Sequence, residues 1–140
     1  MRGTKLCLGL SETYRLPYDE QVRTLRHIGF EGFFSGWKEG ADIPALRKIA
    51  DGEGMIYQSI HAPFGRIDRM WEPTDETPDV IDEQIHCLRA CAESGVPIMV
   101  AHTFIGFTKH NPTQEGLDNF DKVVREAEKL GVKIALENTE

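Results

Sequence analysis

The sequence predicts an α/β fold in which about five parallel strands alternate with four helices. Short apolar runs alternate along the chain with segments in which apolar residues recur every three or four positions, the spacing typical of amphipathic helices. Glycines follow three of these helical segments, where C-terminal caps are common. Strict alternation of strand and helix favours right-handed βαβ units and a parallel sheet.

The predicted strands are apolar runs, and each predicted helix lies between two of them. In chain order the strands cover residues 5–10, 32–34, 56–60, 98–101 and 133–136, and the helices contain the apolar positions of 22–28, 43–49, 81–92 and 117–127. Asp42 and Asp79 stand where helix N-caps are expected. Gly29, Gly95 and Gly131 stand where the C-terminal caps are expected.

The connections between the predicted elements differ in length at the two ends of the sheet. Connections from helix to strand are short, whereas those from strand to helix are long at 62–78 and 103–116. This asymmetry is typical of parallel sheets whose strands carry a site at their carboxyl ends. We therefore expect functional residues at the strand tips.

Composition indicates an ordinary globular domain of 140 residues, which we expect to be a single domain covering 1–140. No apolar run reaches the roughly 18 residues that span a bilayer, and the first ten residues are too short for a signal peptide. We therefore expect no membrane partner and a cytoplasmic location.

Three cysteines without a regular framework favour a reducing compartment. A net charge of -7 makes a nucleic-acid partner unfavourable.

Three chemically active side chains follow neighbouring predicted strands. His61 follows the third strand in SIHAPF, His102 the fourth in MVAHTF, and Glu137 the fifth in KIALENTE. Each alone is commonly structural, but carboxyl ends of neighbouring parallel strands meet at one edge of a sheet. Two imidazoles and a carboxylate in one space suit divalent-metal binding or acid/base chemistry.

These three motifs also resemble the xylose-isomerase-like barrel superfamily, which contains sugar phosphate isomerases/epimerases and, more remotely, endonuclease IV. The resemblance covers essentially the whole chain and implies a TIM (β/α)8 barrel. Because such barrels typically have ~250 residues, the chain is expected to be the N-terminal portion of a barrel, a partial barrel truncated after strand five. The remaining C-terminal half, or a further copy in a homo-oligomer, is then an expected partner.

The resemblance implies a sugar or sugar-phosphate isomerase/epimerase that uses a divalent metal ion (Mn, Mg, Co or Zn) and moves a proton through an enediolate. Glu137 is the implied metal ligand, and His61 and His102 would face the sugar or help to position the ion. We therefore take His61, His102 and Glu137 as the candidate catalytic residues. The general base is left to the rest of the barrel, so the 140-residue chain alone is expected to be inactive.

The implied substrate-binding residues are Trp37 and Phe64, which would wall the pocket, together with Arg66 and Asn138. Arg66 lies in the segment GRIDRMW, whose arginines suit a sugar phosphate or a DNA phosphate. The alternative for this segment is a solvated loop. His27, His86 and His110 receive no role.

Two other functions stay open. In endonuclease IV a His, a His and a Glu at the matching positions bind zinc, so His61, His102 and Glu137 could belong to a zinc phosphodiesterase. The residues that follow them depart from that branch, with Thr103 and Phe104 in place of Pro-Gly and Glu140 within the stretch where Ala-Gly is usual. The chain could also be a non-catalytic partial-barrel module, because its first and fifth strands would be open apolar edges.

Overall fold

The computed structural model describes residues 4–72, 74–106 and 111–137. Its centre is a five-stranded sheet in the order β1-β2-β3-β4-β5, with every neighbouring pair parallel. This is the winding of consecutive units in a β/α barrel, which confirms the predicted fold class. The strands are β1 Cys7–Gly9, β2 Gly32–Gly36, β3 Ile56–His61, β4 Ile98–His102 and β5 Lys133–Glu137.

Four helices alternate with the strands, as predicted. They are α1 Tyr18–His27, α2 Ile43–Glu53, α3 Thr77–Glu93 and α4 Gln114–Leu130, and two short 3₁₀ helices cover Glu12–Tyr14 and Ile67–Met70. Each α-helix contacts the next one along the chain. The helices therefore form a second layer that follows the order of the strands.

Helix boundaries follow local capping, with one correction. The Asp42 carboxylate accepts a hydrogen bond from the Ala45 amide at 2.9 Å, so it caps α2 as predicted. Asp79 does not cap α3, because that helix begins two residues earlier at Thr77 and Asp79 lies inside its first turn. Pro78 fits in that turn, where its missing N–H would have had no intrahelical partner.

The predicted glycine caps are confirmed at the helix ends. Gly131 ends α4 with a φ of 68°, and Gly29 and Gly95 have positive φ directly after the last turns of α1 and α3. Only glycine adopts this left-handed conformation without a steric cost. The chain can therefore turn sharply from each helix into the following strand.

The core lies between the sheet and the helix layer. Strand side chains that face the helices are buried, among them Phe33, Tyr57, Ile60 and Met99, each at most 2% exposed. The Phe33 and Tyr57 rings lie 4.6 Å apart, and the Tyr57 hydroxyl is hydrogen-bonded to the Ser35 hydroxyl. A buried polar pair of this kind avoids the cost of an unpaired hydroxyl.

Apolar side chains are exposed at both edges of the sheet. Leu6 and Leu8 lie at the β1 edge and are 60% and 37% exposed, and Leu136 on β5 is 64% exposed. These exposures confirm the apolar edges expected from the sequence. Among the described residues, no helix combines the length and apolar character needed to cross a membrane.

Candidate metal centre

The three predicted tip residues are the last residues of three neighbouring strands. His61 ends β3, His102 ends β4 and Glu137 ends β5. His102 is directly paired with Glu137 in the parallel register, and His61 is paired with Val100, two residues before His102. Side chains two residues apart on a strand share a face. The pairing therefore places all three side chains on one face at one edge of the sheet.

The reactive atoms of these residues converge on one point. His61 Nε2 lies 2.9 Å from His102 Nε2 and 3.2 Å from Glu137 Oε2, and His102 Nε2 lies 3.1 Å from the same oxygen. His102 is 6% exposed, the His61 side chain 24% and the Glu137 side chain 54%. We call these three residues the His-His-Glu cluster.

The hydrogen bonds around the cluster favour a ligand role for His61. The Nδ1–H of His61 donates to the carbonyl oxygen of Ala62 at 2.8 Å. With the proton held at Nδ1, a neutral imidazole presents a lone pair at Nε2. That lone pair faces His102 Nε2 and Glu137 Oε2. The ring of His61 is therefore already in the tautomer that a metal ion requires.

His102 is held differently from His61. Its Nδ1 atom is buried and has no hydrogen-bond partner among the residues that the structure describes. Burial lowers the pKa of His102, and the neighbouring imidazole of His61 lowers it further, whereas the carboxylate of Glu137 acts in the opposite direction. The lowered pKa favours the neutral ring, which is the form that binds metal ions.

The cluster fits a divalent metal ion in donor chemistry and in spacing. Imidazole nitrogen and carboxylate oxygen are common ligands of zinc and of other divalent transition metals. In a tetrahedral zinc site with bonds of about 2.0–2.1 Å, neighbouring ligand atoms lie about 3.3–3.4 Å apart. The observed separations of 2.9, 3.1 and 3.2 Å are slightly shorter. Small outward movements of the three side chains would therefore accommodate an ion.

Phe64 forms an aromatic wall beside the cluster. Its ring stacks on His102 with centroids 4.4 Å apart, and its edge contacts His61 at 5.3 Å. Phe64 nevertheless remains 42% exposed. An exposed aromatic face next to polar ligands is a suitable surface for the apolar face of a small molecule. The structure thus places Phe64 beside the His-His-Glu cluster, and its role as a wall of the substrate pocket stays a prediction.

The structure gives Trp37 and Arg66 other neighbours. The Trp37 ring lies 6.4 Å from that of His86, a residue to which the sequence assigned no role. Arg66 donates to Glu83 at 2.6 Å and also pairs with Glu76 at 3.6 Å. Arg66, Trp37 and His86 line a cavity of about 510 Å³ between the loop after β2 and α3. Asn138 and His110 lie outside the described residues.

The segment GRIDRMW is not a solvated loop, which corrects one interpretation of the sequence. Ile67, Met70 and Trp71 are 1%, 0% and 7% exposed. Ile67–Met70 forms a 3₁₀ helix whose apolar side chains join the core. Sequence reasoning missed Trp71, since its contacts come from residues more than 30 positions away.

The fold and the cluster define a β/α-barrel protein with ligand-type side chains at the carboxyl edge of its sheet. The chain belongs to the family described as Xylose isomerase-like TIM barrel, whose family profile matches residues 22–140. No curated protein sequence matches the chain significantly.

Solved structures with the same fold include sugar epimerases and an endonuclease. A 3-keto-D-glucoside 4-epimerase from E. coli has a TM-score of 0.77 at 16% identity, with 99% of this chain and 57% of that chain covered. An AP endonuclease, family 2, from Brucella melitensis has a TM-score of 0.75 at 14% identity, with 98% of this chain and 56% of that chain covered. D-psicose 3-epimerase from Clostridium cellulolyticum H10 has a TM-score of 0.72 at 15% identity, with 95% of this chain and 52% of that chain covered. The chain thus spans about half the length of these proteins.

Proposed function

We propose that this chain forms part of a divalent-metal-dependent sugar or sugar-phosphate isomerase/epimerase. The observation that carries the proposal is the convergence of two imidazole nitrogens and a carboxylate oxygen within 2.9–3.2 Å at the strand tips. Membership of the xylose isomerase-like family and the epimerases among the solved structures with this fold support the sugar chemistry. Residues 1–140 would form the N-terminal portion of one barrel domain.

In this proposal His61, His102 and Glu137 hold the ion. A bound divalent ion would polarise the oxygens of a carbonyl-containing substrate and so make the neighbouring carbon more acidic. The chain itself favours the ligand tautomer of His61 through Ala62, and burial lowers the pKa of His102 and so favours its neutral form. Phe64 shields one side of the two imidazoles and limits access of water from that side.

The charges near the cluster favour a sugar over a nucleic-acid backbone. Arg66 and Arg69 in the loop after β3 are ion-paired with Glu76, and Arg66 also pairs with Glu83. Lys38 in the loop after β2 is ion-paired with Glu12. These carboxylates neutralise the cations that would otherwise contact successive DNA phosphates. A compact sugar or sugar phosphate, which needs few cations, fits such a surface better than an extended phosphate backbone.

Solvent-hydrogen exchange tests this proposal directly. The native protein, loaded with Mn²⁺ or Co²⁺, is incubated in D₂O with a panel of ketohexoses, and deuterium at the carbon next to the carbonyl is followed by NMR. Glu137→Gln should abolish exchange, because it removes the charged ligand at nearly constant volume. Glu93→Gln, at an exposed position at the end of α3, is the matched control. Undiminished exchange in Glu137→Gln would contradict the proposal.

Phosphodiester hydrolysis is the second candidate, because the same three-residue cluster would also suit zinc-dependent hydrolysis. Both histidines direct Nε2 to the same point as the carboxylate, which is the arrangement expected if all three residues bind zinc. The fold of the AP endonuclease from Brucella melitensis is also similar. Cleavage of a duplex that contains an abasic site by the Zn²⁺-loaded protein, without ketose exchange, would support this function in place of the first.

A further inference from the structure

Trp71 joins three elements that the chain brings together only in the folded state. It follows the 3₁₀ helix Ile67–Met70, and its side chain is 7% exposed. Its contacts reach the loop after β4 and the first turns of α4. The loop after β4 begins directly after His102, so these contacts act next to the cluster.

The indole of Trp71 holds the two residues that follow His102. Its Nε1–H donates to the carbonyl oxygen of Thr103 at 2.6 Å, and its ring stacks on Phe104 with centroids 4.6 Å apart and planes 11° apart. The neighbouring Asp68 carboxylate accepts a hydrogen bond from the Ile105 amide at 3.0 Å. Three consecutive residues after β4 are thus held by the segment after β3.

The other face of Trp71 is held by α4. The Thr113 hydroxyl donates to the Trp71 carbonyl oxygen at 2.6 Å, and the ring of Phe120 lies 5.2 Å from the indole. Gly116 lies against the indole so closely that an added Cβ would overlap it. The indole therefore has little freedom to move, because backbone and rings surround it.

We propose that Trp71 is a positioning residue that sets the direction of the His102 imidazole. His102 ends its strand, so the peptide after it lies beyond the β4 ladder and depends on other contacts for its place. The three reactive atoms of the cluster lie within a few tenths of an ångström of the spacing that an ion needs, as derived above. Ligand atoms of a working site must be held within about 0.5 Å of their productive positions, so a shift of the strand tip of that size would disturb the cluster.

The metal-dependent part of this inference rests on the proposed function. Loss of a group that orients a metal ligand typically weakens metal binding by about 10- to 100-fold. We therefore expect Trp71→Phe, which keeps an aromatic ring but removes the N–H, to weaken Zn²⁺ or Co²⁺ binding by a factor in this range. A purely structural role would lower stability without changing metal affinity in the folded protein.

The test combines metal affinity with a signal from His102 itself. The imidazole nitrogens of His102 are observed by ¹⁵N NMR in the metal-free protein, and metal affinity is measured by competition with a chromophoric chelator. Trp71→Phe should broaden or split the His102 signals and weaken binding. Tyr57→Phe is the matched control, because it also removes one buried aromatic hydrogen bond, here to Ser35, on the helix-facing side of the sheet. It should change neither readout.

A second variant keeps the test decisive if Trp71→Phe fails to fold. Benzothienylalanine placed at position 71 retains the bicyclic ring and lacks only the N–H, and it should reproduce the altered His102 signals. Unchanged His102 signals in the folded variants, or equal changes in Tyr57→Phe, would overturn the positioning role. If the wild-type protein binds no metal ion, the proposed function fails, and the His102 signals alone decide the role of Trp71.

Discussion

Replacing His61 by alanine gives the sharpest test of the His-His-Glu cluster. His61 Nε2 lies 2.9 Å from His102 Nε2 and 3.2 Å from Glu137 Oε2, so its removal deletes one of three convergent ligand atoms. Its side chain is 24% exposed, and its other hydrogen bond is to the Ala62 carbonyl. The substitution should therefore change metal binding far more than stability.

The size of the effect follows from the number of ligands. Structural sites with four ligands bind Zn²⁺ with a free energy of about 10–16 kcal/mol, which is about 2.5–4 kcal/mol for each ligand. Three ligands at nearly correct spacing should then give a Zn²⁺ Kd of roughly 10⁻⁶–10⁻⁹ M, and His61→Ala should weaken binding by roughly 10²–10³-fold. The hydrogen bond from His61 Nδ1–H to the Ala62 carbonyl oxygen supports this range, because it leaves Nε2 as the atom that faces the other two ligands.

The assay is Zn²⁺ competition with a chromophoric chelator, together with the visible absorption of Co²⁺ as a reporter of coordination number. His27→Ala is the control, since His27 is an exposed residue at the end of α1 and has no place in the cluster. Circular dichroism confirms that both variants are folded. The ligand assignment is refuted if the Zn²⁺ Kd of His61→Ala lies within about threefold of the wild-type Kd. Loss of one of three ligands should weaken binding by roughly 10²-fold or more.

Three further predictions concern the fold that carries the cluster. Burial raises the pKa of Tyr57, so above about pH 10 the unfolded chain releases a proton that the folded chain keeps. The free energy of unfolding should then fall by up to about 1.4 kcal/mol per pH unit as the pH rises. Tyr57→Phe should remove this part of the loss of stability at alkaline pH. Met99→Ala should cost about 2–5 kcal/mol in urea denaturation, because Met99 is fully buried in β4. Asp42→Ala should cost about 1 kcal/mol, since it removes the cap of the Ala45 amide.

The controls for these predictions use the same measurements. The hydrogen bond with Cys91 and, after it, burial also raise the pKa of Cys87. The loss of stability at alkaline pH is therefore compared between wild type and Tyr57→Phe rather than taken from one protein. An identical alkaline slope in the two proteins would contradict the assignment to Tyr57. Asp42→Asn should retain the cap and the stability, because an amide oxygen accepts the same hydrogen bond. A loss of less than about 1 kcal/mol in Met99→Ala would show that the site collapses around the cavity.

Local patterns were sufficient to predict most of the fold. The apolar runs located all five strands, although β1 is confined to Cys7–Gly9 and β2 to β5 extend further at their carboxyl ends. Asp42 was predicted correctly because capping depends on residues within one turn. The capping role of Asp79 was wrong, since the start of α3 is also determined by Pro78 and by a hydrogen bond from the Thr77 hydroxyl to the Arg69 carbonyl.

The residues of the candidate site differ in how far the sequence could predict their positions. His61, His102 and Glu137 could be predicted, because strand tips in a parallel sheet meet at one edge whatever the details of packing. The substrate-binding role of Arg66 stays a prediction, and the structure shows its guanidinium paired with Glu83 on α3 and with Glu76 just before that helix. An arginine side chain is long enough to choose among several partners, and sequence spacing does not rank them.

The sequence by itself determined the order of strands and helices, the edge at which the reactive residues lie and the identity of the three converging side chains. Only the tertiary structure decided that their nitrogen and oxygen atoms approach to 2.9–3.2 Å, and that Trp71 holds the chain beside His102. The physical reason is the range of the interactions. Periodicity and capping act within a few residues, whereas the cluster and the Trp71 contacts depend on side-chain packing between segments that are distant along the chain.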